Sequence, residues 1–87
     1  MKEEFTIGQI VFYTRILPKV GIYELLEIKL RTVEDTYIVG CDEKDHTAYL
    51  ISEIEAEASI FISRKDALNK IKEEKKKGKE NIWKEEN

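Results

Sequence analysis

At 87 residues the chain has room for one ordinary domain and a modest core, since a domain this size buries only about 60 to 65 per cent of its unfolded surface. Hydrophobic residues make up 41% and charged residues 38%, which selects a folded domain with a densely ionic surface over a disordered chain. The net charge of −3 hides an asymmetry: residues 1–62 carry six basic against twelve acidic side chains, and residues 63–87 carry nine against six. An acidic body of this kind is repelled by phosphate and suits partners that are themselves basic.

The first nine-residue pattern, Phe5 to Tyr13, is β-branched and aromatic, with Ile10 and Phe12 on one face and Val11 and Tyr13 on the other. It predicts a strand entered through a turn at Gly8 and ended near Arg15, ahead of the single proline, Pro18. Val20 to Arg31 alternates, with Ile22, Leu26, Ile28 and Leu30 on one face. Gly21 and the out-of-phase Leu25-Leu26 predict a bend or bulge within it. A turn at Thr32 to Asp35, a strand at Thr36 to Gly40, a turn at Cys41 to Asp45 and a strand at His46 to Ile51 complete an antiparallel meander.

From Glu53 the period of two continues, with Ile54, Ala56, Ala58 and Ile60 facing one way and Glu53, Glu55, Glu57 and Ser59 the other. The same stretch is rich in helix formers, so a short helical turn is the competing reading, followed by a closing strand at Ile60-Phe61-Ile62. Ser63 and Asp66 have capping-box spacing, and a helix is expected from Arg64 with Ala67, Leu68 and Ile71 as its apolar stripe. Gly78 is the expected stop, leaving 79–87 as a loose polar tail beyond a single domain at 1–78. The fold class is therefore mainly β (α+β): a small antiparallel, strongly bent sheet or barrel of about five strands with one C-terminal α-helix.

Phe5-Thr6-Ile7-Gly8-Gln9-Ile10-Val11 is similar to the first strand of Src-homology-three-like barrels of the Tudor and KOW kind. The run Ile60 to Leu68 resembles the strand and capped helix that end small phage and prophage proteins of low-GC Gram-positive bacteria. The resemblance spans roughly Phe5 to Ile71 and rests on packing and capping signals, so it supplies no chemistry of its own. It implies an anti-defence role: a small protein that binds and blocks a host protein, including CRISPR nucleases.

Chemistry-bearing residues are few. One histidine, one cysteine, no phosphate-cradling glycine loop and no nucleophile elbow leave no enzyme to assign. Cys41 and His46 flank an acidic turn and would make a partial zinc site, for which the sequence offers no second Cys or His cluster; a solvated turn is preferred, with no cofactor. If extended, Glu53, Glu55 and Glu57 place carboxylates ~7 Å apart on one face, from a rise of about 3.4 Å per residue. With Asp42, Glu43 and Asp45 they form the acidic face assigned to a basic, nucleic-acid-handling host protein, weighed against a solvated edge that merely prevents aggregation. The alternative is nucleic-acid binding through Lys72, Lys75, Lys76, Lys77 and Lys79 with Trp83 stacking on a base. A third reading is an oligomerising structural protein, a homo-oligomer. The lone cysteine and the lack of any long apolar run predict a cytosolic protein with no membrane partner.

Overall fold

The computed structural model describes the backbone of residues 5–86 and the side chains of residues 5–77. Among the described residues five strands, β1 (Ile10–Leu17), β2 (Ile22–Val33), β3 (Tyr37–Asp42), β4 (Ala48–Ser52) and β5 (Ile60–Phe61), form one antiparallel sheet in the order β4-β3-β2-β1-β5. A helix, α1 (Glu53–Ser59), links β4 to β5, and a long helix, α2 (Arg64–Glu86), follows. The meander and the β1 faces are as the alternation predicts. β4 and β5 stand at opposite ends of the sheet and do not pair, so hydrogen bonds do not close it into a barrel.

The turn residues explain the joints. Gly8 enters β1 at φ 90°, where its N–H donates to the Leu30 carbonyl at 2.7 Å. Pro18 opens a single 3-10 turn, Pro18–Val20, which Gly21 ends in the left-handed region at φ 70°. The pairing of β2 with β3 slips between Leu30 and Thr32, several residues beyond the bend expected at Gly21 and Leu25-Leu26. That earlier stretch stays in register because Leu25 and Leu26 pair directly with Thr14 and Tyr13.

The register assigns two faces. Val11, Tyr13, Leu26, Ile28, Leu30, Ile38, Ile51 and Ile60 point to one side, where Ala56 of α1 closes over them and Phe5 joins the buried cluster. α1 touches β3 and β4 at one end of the sheet and β1 and β5 at the other, spanning the gap that pairing leaves. Phe12, Thr14, Tyr23, Leu25, Glu27 and Phe61 lie on the opposite face by register, over the part of the sheet that α2 covers. Buried Thr14 donates its hydroxyl to the Ser59 carbonyl at 2.9 Å, satisfying a polar group that would otherwise be costly to bury.

α2 docks through residues at helical spacing. The Arg64 guanidinium lies 5.2 Å from the Phe12 ring centre and 3.1 Å from the Glu27 carboxylate. Ala67 and Ile71 are buried, and the Lys75 ammonium sits 5.8 Å from the Tyr23 ring. α2 departs from the sequence expectation at two points. Leu68 is 43% exposed, because a residue one step from Ala67 is turned about 100° off the contact line. The helix also runs through Gly78 to Glu86: one glycine costs only about 1 kcal/mol, and the lysines and glutamates around it are good helix formers.

Candidate interaction surfaces

The extended reading of residues 53–59 is overturned. Ser52 is in the extended region and its hydroxyl accepts from the Glu55 N–H at 3.2 Å, the geometry of a helix N-cap. Within α1, Glu53 and Glu57 stand one turn apart on one side and Glu55 about 160° from each, so the carboxylates do not form a string on one face. Ile54 and Ala58 do not face inward with Ala56; they form the outer ridge, with Ile54 81% exposed. The glutamates thus flank a protruding apolar side chain.

Glu55 is fixed by the core. The Tyr13 hydroxyl donates to its Oε1 at 3.0 Å, and the Tyr13 ring meets Tyr49 edge-on with centroids 5.6 Å apart. Burial of the phenol, reinforced by the bond to Glu55, pushes the Tyr13 pKa up from 10.0 to about 12. Because the folded value lies above the unfolded one, this group's stabilising contribution is complete below about pH 10 and is lost as pH rises towards about 12. An ultraviolet difference titration is expected to show one of the four tyrosines ionising near the top of that window, and Tyr13→Phe should remove that step.

The turn between β3 and β4 divides its acids between structure and solvent. Asp42 is buried, and its Oδ1 accepts from the Lys44 N–H at 2.6 Å and the Asp45 N–H at 3.3 Å, so it organises the turn. Asp45 is exposed and its carboxylate accepts from the Thr47 N–H at 3.0 Å, which holds its pKa below the ordinary aspartate value. Glu43 is exposed, and its N–H donates to the Glu27 carbonyl at 3.0 Å. Of the three acids assigned to a binding face here, Glu43 and Asp45 therefore reach solvent and Asp42 does not.

Cys41 is half-buried on the face of β3 opposite the core, and His46 is exposed at φ 62° in the turn. No group of three or more His, Cys, Asp or Glu placed to hold a metal ion occurs among the described residues. On α2, Lys70 and Lys77 approach Glu74 at 3.0 and 3.9 Å and Lys75 lies over Tyr23, while Lys72 and Lys76 are exposed. The side chains of Lys79 and Trp83 lie outside the described residues. No described helix is long and apolar enough to cross a membrane.

Sequence reasoning set the three glutamates on one face of a strand, which the helix divides, and missed Ile54 as a surface residue. The signal was present: Ser52 and Glu55 have the same capping-box spacing as Ser63 and Asp66. Compared with known proteins, the chain matches no family model, no curated protein and no solved structure.

Proposed function

We propose that this is a non-enzymatic interaction protein that binds a basic, nucleic-acid-handling protein through the outer side of α1. Exposed Ile54 with Glu53, Glu55 and Glu57 around it carries this reading. An apolar side chain that desolvates at the centre of a contact, ringed by carboxylates, suits a partner surface with an apolar notch among lysines and arginines. The excess of acid over base in residues 1–62 adds long-range attraction to such a surface. The likeness of Phe5 to Val11 and Ile60 to Leu68 to barrel-forming phage and prophage proteins directs the proposal to a host defence effector in the cytosol, with CRISPR nucleases the first to test.

The test is competition between this protein and target DNA for a guide-loaded CRISPR nuclease. The unaltered chain is expected to reduce DNA binding, and the combined Glu53→Lys, Glu55→Lys and Glu57→Lys variant to lose that effect by at least about a hundredfold, from about 1 kcal/mol or more per reversed charge. Thermal melting of the variant checks the fold, since Glu55 also receives the Tyr13 hydrogen bond. A mobility-shift assay at low salt supplies the opposing outcome. Nucleic-acid binding that disappears when Lys72 and Lys76 are neutralised, with no effect of the glutamate reversals, would replace this reading with the lysine-helix one.

A further inference from the structure

Among the described residues β4 ends the sheet, and its pairing with β3 fixes what it leaves outside. The Asp42 N–H donates to the Thr47 carbonyl at 2.8 Å, and the Glu53 N–H to the Thr36 carbonyl at 2.9 Å. Opposed residues of an antiparallel pair alternate between exchanging hydrogen bonds and not doing so. Cys41–Ala48, Val39–Leu50 and Tyr37–Ser52 are therefore the non-bonded pairs, and the N–H and C=O groups of Ala48 and Leu50 point away from β3. The Ser52 N–H follows the same direction, while its carbonyl belongs to α1 as the N-cap acceptor.

Among the described residues, this edge lacks the usual protection. Lysine, proline and inward charges commonly blunt an exposed strand, yet Ala48-Tyr49-Leu50-Ile51-Ser52 contains none of them in a chain that is 38% charged. Leu50 is 72% exposed on the side opposite the core, and α2 covers β1, β2 and β5 rather than this end. The charges lie at the two ends of the strand. Glu43 and Asp45 outweigh Lys44 in the turn before it, and Glu53 and Glu57 follow it.

Those ends decide between occupants. A second copy pairing antiparallel about Leu50 would set the acidic turn of each chain beside the Glu53 end of the other, like charge against like. An extended segment with an apolar middle and basic ends meets opposite charge at both. We infer that the β4 edge is a strand-addition site for such a basic-ended segment of a partner protein. This deepens the proposed function and rests on it in one respect, that the partner is basic.

Hydrogen exchange of the Leu50 amide, followed by NMR, reads the site directly. The probe is a synthetic peptide of alternating valine and threonine with two lysines at each end. At saturation it is expected to slow Leu50 exchange by about tenfold and to shift the Ala48 and Ser52 amides. A counterpart with two glutamates at each end, and a lysine peptide N-methylated at alternate residues to remove its edge donors, should do neither. Equal protection by the glutamate peptide, or no protection by the lysine peptide, overturns the inference. Protection that grows with protein concentration and without peptide also overturns it, in favour of a second copy. A nuclease whose binding is lost on reversing Glu53, Glu55 and Glu57 but leaves Leu50 exchange unchanged keeps the acidic-face reading and removes strand addition alone.

Discussion

Ile71→Ala is expected to lower the stability of the folded chain by about 2 to 4 kcal/mol, and Leu68→Ala by about 1 kcal/mol or less. Both remove apolar atoms from the same helix, so the contrast isolates burial from helix propensity, which alanine in fact improves. Ile71 is 7% exposed against the sheet, and shortening it leaves a cavity beneath α2 that its fixed neighbours cannot fill. Leu68 is 43% exposed and loses only part of a side-chain contact. Urea unfolding followed by circular dichroism measures both changes. Ending the chain after Ile62 should have the larger consequence of removing cooperative unfolding, because Phe12, Thr14 and Tyr23 would lose the element that lies over their face. A truncated chain that melts as the full one does would show α2 to be dispensable.

The strands were legible for a simple reason: a period of two leaves a direct mark whenever one face is buried. Val11 and Tyr13 opposite Ile10 and Phe12, and Ile28 and Leu30 between charged neighbours, carry that mark and fold as it predicts. The stretch after Ser52 carries the same mark with a different outcome. Glu-Ile-Glu-Ala-Glu-Ala alternates perfectly, yet glutamate and alanine favour helix, and the Ser52 cap starts one. Alternation decides for strand only where β-branched or aromatic residues supply it. The exposure of Ile54 was not legible, because it looked like core until the helix turned it outward. The missed slip at Leu30 to Thr32 has a similar cause, since an extra residue opposite β3 is a property of pairing between strands and leaves no local pattern.

Gly40→Ala is expected to destabilise the fold by about 1 to 3 kcal/mol, and much of that loss should vanish when Ile28 is shortened to valine. Gly40 pairs with Leu30 on the core face of β3, one step along the sheet from Ile28 opposite Asp42. A methyl group added at Gly40 would stand 2.6 Å from Cδ1, 3.1 Å from Cγ1 and 3.3 Å from Cβ of Ile28. Its backbone φ lies outside the left-handed region, so space and not conformation is what selects glycine here. Ile28 is fully buried and cannot swing into solvent to make room. Valine at position 28 lacks the Cδ1 atom responsible for the closest approach. By itself Ile28→Val should cost about 0.5 to 1.5 kcal/mol, as a lost buried methyl does. The pair should therefore lose at least about 0.5 kcal/mol less than the sum of the two single changes. Additive losses in a double-mutant cycle measured by denaturant unfolding would mean that the added methyl is opposed by the backbone of the sheet and not by the Ile28 side chain.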